Sequence, residues 1–98
     1  MNQFYVRIQL NSVNGPSPSG QTYADLHEAM SSLGASRQIA GQTGVMFDLP
    51  NAEYLLPSNY NAVQVRDMVV WTAERFWRDA EVLVLNWVTV AFKLKQAA

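Results

Sequence analysis

Phe4, Val6, Ile8 and Leu10 alternate with Tyr5, Arg7, Gln9 and Asn11. That two-residue period predicts a strand with one buried face. The next stretch, Asn11 to Gln21, reads NSVNGPSPSGQ and is too rich in Gly, Pro, Ser and Asn for a regular element. It reads as a surface connector, with a lid over a ligand as the functional alternative. Thr22 to Asp25 has the form of a capping box with Asp in place of Glu, which predicts a helix start. Leu26, Met30 and Leu33 then share one face, with Tyr23 and Ala29 beside them, and Gly34 follows as a left-handed stop. A strand is predicted around Ala35 to Ala40, a turn at Gly41-Gln42-Thr43-Gly44, and a short extended piece from Val45 to Leu49, broken by Pro50. Ala52 to Leu56 is the better interior strand, ended by Pro57-Ser58-Asn59. Asn61, with Gln64 three residues on, caps a second helix that puts Val65, Val69, Thr72, Ala73 and Phe76 on one face and runs to about Asp79. Glu81 to Leu94 carries Val82, Val84, Val88 and Val90 and reads as a long β segment, either one strand or two.

The order strand, helix, strand, strand, helix, strand predicts a single α+β domain over residues 1–98. Its expected architecture is a ferredoxin-like split βαβ sandwich, with two helices on one face of a mainly antiparallel sheet. The other face then needs a cover. Such a fold carries no function by itself.

Composition narrows the partners. Charged residues are 15% of the chain and hydrophobic ones 49%, against a charged share of about 25% in ordinary soluble domains. Low charge and a half-covered sheet together predict a homodimer, since large apolar patches are seldom left exposed. A net charge of −1 argues against strong non-specific binding to nucleic acid, which rests on phosphate neutralisation by Lys and Arg. There is no cysteine and one histidine, so no disulfide, thiolate chemistry, protein-only zinc site or other cofactor is expected. No basic-then-apolar leader opens the chain, and the apolar run from Val82 to Leu94 falls short of the ~20 residues that span a bilayer. The expectation is a cytoplasmic protein without a membrane partner.

The block from Leu26 to Leu55 contains LHEAM, then LG-x-SR-x-I, then LP-x-AEY. In these segments the chain resembles the family of the GhoS antitoxin, and its flanking strands and helix are similar in kind. The resemblance implies a small endoribonuclease of a type V toxin–antitoxin system, acting as a homodimer and cutting single-stranded mRNA. The long Asn11–Gln21 loop and the Trp-bearing second helix depart from the family's pattern.

The candidate chemistry is sparse. A metal-free ribonuclease needs a base for the 2′-hydroxyl and a cation for the developing phosphate charge. Arg37, His27 and Asp48 are the candidates. Each has a plainer alternative: Arg37 as an edge-strand surface residue, His27 as a hydrogen-bonded packing residue at the rim of the helix stripe, and Asp48 as a lone hairpin carboxylate. Arg7 and Tyr5 point away from the helices; if Ala52, Tyr54 and Leu56 face the helices, Glu53 faces out near Arg7. Arg7, Tyr5 and Glu53 form either a polar binding site or a cross-strand ion pair. Trp71 falls roughly 160° from the buried centre at Val69, at ~100° per residue. It should point outward with Val70 and Trp77 as an apolar band beside Arg75 and Arg78, a composition suited to a protein partner or to stacked bases. The two arginines have a structural alternative as cations in the last helical turn. Three functions remain: the RNA-cleaving antitoxin-like protein, a non-catalytic homodimeric interaction module of the same fold, and, with no specific residue to support it, a small-molecule-binding dimer whose pocket is the open sheet face.

Overall fold

A computed structural model describes residues 1–12 and 15–97 of the chain. Val13 and Asn14, inside the predicted Asn11–Gln21 loop, lie outside the described residues. The elements are β1 (Asn2–Leu10), α1 (Gly20–Ser32), β2 (Gln38–Ala40), β3 (Met46–Asp48), β4 (Glu53–Ser58), α2 (Ala62–Glu74) and β5 (Ala80–Asn86). β1 is the centre of a three-stranded sheet of order β4-β1-β5, antiparallel on both sides. β2 and β3 form a separate antiparallel hairpin. The result is an α+β fold with two helices and sheets of three and two strands.

The alternation in β1 decides which sheet face meets the helices. Phe4, Val6, Ile8 and Leu10 are buried, as are Tyr54 and Leu56 of β4. They join Leu26 and Met30 of α1 and Val65, Val69 and Ala73 of α2 in one core. Trp71 is 67% exposed while Val65 and Val69 are fully buried, so the predicted register of α2 holds. Asn61 and Gln64 form the expected capping box, with Gln64 N donating to Asn61 Oδ1 at 2.8 Å and Asn61 N donating to Gln64 Oε1 at 2.9 Å. Gly34 takes a φ of +96° just after α1, the left-handed stop expected of it.

Several local expectations are corrected. The capping box of α1 is Ser19 with Thr22, not Thr22 with Asp25. Asp25 is instead engaged by Gln21 Nε2 at 2.8 Å, and the S-x-x-T spacing offers a cap three residues earlier. The described part of the preceding loop closes on itself through the Ser12 and Ser17 hydroxyls at 2.9 Å. Ala52 does not open β4 but occupies a turn at φ +61°, closed by Glu53 N donating to Pro50 O at 3.2 Å. α2 stops at Glu74 with Arg75 as its C-cap, five residues short of Asp79. The segment from Glu81 to Leu94 is a strand only to Asn86; Trp87 N makes a bond to Gln3 O at 2.9 Å.

The chain beyond Trp87 turns toward the hairpin. Asp48 N donates to Lys95 O at 2.9 Å and Ala97 N to Met46 O at 3.0 Å, and the Phe47 and Phe92 rings meet edge to face at 5.3 Å. The tail thus pairs along β3, and tail and hairpin together lie over the sheet face opposite the helices: Tyr5, Leu55 and Leu85 on the sheet share a cavity with Ile39, Phe92 and Leu94. The cover that the sheet needs comes in good part from the same chain. Among the described residues, no helix is long and apolar enough to cross a membrane.

Candidate functional site

A cleft of about 570 Å³ lies where the end of α1, the segment leading into β2, and the end of β3 meet. Its walls include His27, Arg37 and Asp48 together with Ser31, Ser36 and Gln38. Each is positioned by a local feature of the sequence. Leu26 and Met30 are buried and bracket His27, which fixes the imidazole at the rim of α1. The Gly34 turn then sends the chain to the outer edge of β4, where Ser36 and Leu55 exchange two backbone hydrogen bonds of 2.8 Å. That bridge anchors Arg37 one residue later. The hairpin returns Asp48 opposite Gln38 in register, with Gln38 Nε2 donating to Asp48 Oδ1 at 3.2 Å and Leu49 N donating to Arg37 O at 2.9 Å.

His27 Nδ1 lies 2.6 Å from the Tyr54 hydroxyl, which stands in an otherwise apolar core and needs a polar partner there. Burial lowers the His27 pKa from its ordinary 6.5; the nearby positive charge of Arg37 lowers it further, against an opposing hydrogen-bonding influence from Asn51. The imidazole is therefore neutral near pH 7 and able to accept a proton. Burial pushes the Tyr54 phenol up to about 12, Arg37 partly opposing the shift, so Tyr54 remains a hydroxyl. Among the described residues the one ion pair is Arg66 with Asp67, at 2.8 Å. The Arg37 guanidinium, exposed at the cleft, has no carboxylate at ion-pair distance among the described residues and can receive an anion. No group of three His, Asp or Glu gathers among the described residues.

The sequence-predicted candidates thus fall into three places. His27, Arg37 and Asp48 share the cleft. Arg7 and Glu53 are cross-strand partners in the predicted register, but the expected ion pair between them does not form. Glu53 acts on Tyr5 instead: burial first, then the hydrogen bond and charge of Glu53, push the Tyr5 phenol up to about 12, with Arg7 opposing. Arg7 lines a separate groove with Gln9 and Glu81. The third place is the outer face of α2, where the Arg75 guanidinium lies 5.0 Å from the centre of the Trp71 ring and 5.4 Å from that of Phe76. Trp77 does not join that face. It packs on the core, and its indole N–H donates to Asn11 O. Arg75 and Arg78 lie past the last turn of α2; Arg78 is exposed.

Sequence reasoning missed Tyr54, Asn51, Ser31, Ser36 and Gln38. Tyr54 had a usable signal: a tyrosine at an inward-facing strand position has a hydroxyl that must find a partner, and the only histidine lies on the facing helix. The other four carry no signal in spacing. No protein-family profile matches the chain, and no curated protein sequence matches it.

Proposed function

We propose that the protein is a GhoS-like endoribonuclease and that the His27–Arg37–Asp48 cleft cleaves single-stranded RNA without a metal ion. The observation that carries this reading is that an imidazole with a lowered pKa, a guanidinium without an ion-pair partner among the described residues, and a carboxylate line one cleft. The resemblance in LHEAM, SR-x-I and LP-x-AEY adds the substrate class. If Nδ1–H of His27 donates to the Tyr54 hydroxyl, Nε2 keeps its lone pair and takes the proton of the substrate's 2′-hydroxyl. The 2′-oxygen then bonds to phosphorus, the bond from phosphorus to the 5′-oxygen breaks, and the imidazolium returns the proton to that leaving oxygen. Arg37 stabilises the negative charge that builds on the phosphoryl oxygens, and Asp48, steadied by Gln38, accepts a hydrogen bond from the ribose. The fold behind the site is, in this reading, a ferredoxin-like split βαβ with the β2–β3 hairpin inserted, and the isolated Ser36–Leu55 bridge beside β4 supports it.

The test is a cleavage time course on a single-stranded oligoribonucleotide with EDTA present. Wild type should cleave. Arg37→Ala should slow cleavage about 10²–10³-fold, the cost of one lost donor to transition-state charge, and His27→Ala about 10²–10⁴-fold. Absence of cleavage by wild type across several RNAs would overturn the reading.

The stacked Trp71–Arg75 pair favours a second function, a homodimeric interaction module in which this face of α2 meets a protein partner. Light scattering at about 100 µM, well above the dissociation constant of most interfaces of standard size, should then give a dimer mass. A monomer mass for wild type would remove the homodimer.

A further inference from the structure

β5 lies at the edge of its sheet. In an antiparallel ladder, alternate residues turn both backbone groups toward one neighbour. Asn11 N donates to Asp79 O at one end of β5 and Trp87 N to Gln3 O at the other, so the odd-numbered residues serve β1. Ala80, Val82, Val84 and Asn86 therefore turn their N–H and C=O outward, and among the described residues no strand pairs with that side. The opposite edge of the sheet is closed. There Leu55 exchanges both backbone bonds with Ser36, and Pro57, which also faces outward in the β1–β4 register, has no N–H to offer. The tail pairs along β3. β5 lacks the usual guards of an edge: it runs seven residues without proline, lysine or bulge, and Glu81 is its one charge. On the face away from the helices, Leu83 and Leu85 stay 50% and 49% exposed. On the helix face, Val82 and Val84 pack at the margin of the core, only partly buried.

We propose that a second copy of this chain occupies this edge, its β5 antiparallel to the first about a two-fold axis at Leu83. The proposal rests on the homodimer reading above and says where the copies meet. One two-fold register uses all the outward backbone groups: Ala80 lies opposite the partner's Asn86, and Val82 opposite the partner's Val84. The same register suits the side chains. Valine meets valine and carries the core across the junction, Leu83 meets its own copy, and Glu81 faces the partner's Leu85, so no like charges stand opposite each other. A net charge of −1 per chain adds little repulsion between copies.

The test uses the full chain, which has no cysteine of its own. Leu83 and its copy form a non-hydrogen-bonded pair with Cα atoms about 4.5 Å apart, inside the ~4.4–6.8 Å span of a disulfide. Leu85 lies about four residues along from its copy, or ~14 Å, which no disulfide bridges. Under mild oxidation Leu83→Cys should therefore link into a covalent dimer, and the equally exposed Leu85→Cys should not. Light scattering at about 100 µM should give a dimer mass for wild type. Leu83→Lys sets two like charges opposite each other beside Arg7, the cross-strand neighbour of this position; it should give a monomer mass while thermal unfolding stays cooperative. No link through position 83, equal linking through 83 and 85, or a dimer mass in Leu83→Lys would overturn the edge pairing. A wild-type dimer that fails the linking test removes this interface and leaves the homodimer reading standing, whereas a wild-type monomer removes both.

Discussion

His27 meets two demands. It satisfies the buried Tyr54 hydroxyl at 2.6 Å, and it faces a cleft shared with Arg37. Its pKa is lowered in the folded chain, by burial first and Arg37 second, from the 6.5 it holds when exposed. Between the lowered value and 6.5 the unfolded chain binds more protons than the folded one, so stability rises with pH across that window. Acidification should therefore weaken the fold, beginning as pH falls through 6.5 and ending below the folded value. His27→Gln should flatten that part of the profile, as read by urea midpoints from about pH 8 to about pH 5. A second residue-scale prediction concerns Gly34 at φ +96°. Gly34→Ala should cost about 1–2 kcal/mol, the penalty of a Cβ in the left-handed region, measured by the same unfolding curves. Gly34 was legible because glycine after an amphipathic run is a recognised stop. Ala52 at φ +61° was not. Nothing in NAEY marks a left-handed alanine, and its geometry follows from the Pro50–Glu53 turn that must join the hairpin to β4.

At the scale of elements, the hydrophobic period told most of the story. In β1, α1 and α2 the predicted inward faces are the buried ones, because each element has one face on a common core. Leu26→Ala should cost about 2–5 kcal/mol, the transfer and cavity loss of a buried leucine. Trp71→Ala should stay within about 0.5 kcal/mol, as exposed substitutions generally do. Chemical denaturation of the two variants side by side checks both, and comparable losses would mean that the outer face of α2 is packed. The segment after Asn86 was less legible. Its valines keep the strand period to Val90, yet strand pairing needs a neighbour. The last pairing of this segment with β1 is Trp87 N to Gln3 O. Beyond it the chain pairs along β3 instead, through Asp48 N to Lys95 O and Ala97 N to Met46 O. The same limit explains Trp77, whose outward position on an ideal helix is cancelled because α2 ends at Glu74 and the backbone changes course.

At the scale of the molecule, the candidate cleft depends on three segments that no spacing in the sequence ties together. The residue types were legible one by one. Their meeting was not, because it requires the Ser36–Leu55 bridge and the Gln38–Asp48 register, both of which come from tertiary pairing. The Arg7–Glu53 neighbourhood shows the converse. Its register was legible from inward and outward alternation, but the Arg7 and Glu53 side chains do not come to ion-pair distance. The most direct test of the central claim is the rate at which the purified protein cleaves one single-stranded oligoribonucleotide in EDTA, compared with the same sequence carrying 2′-deoxyribose throughout. The account predicts cleavage of the RNA, none of the deoxy strand, and a loss of about 10²-fold or more in Arg37→Ala. Equal cleavage of both strands, or an Arg37→Ala rate matching wild type, would contradict it.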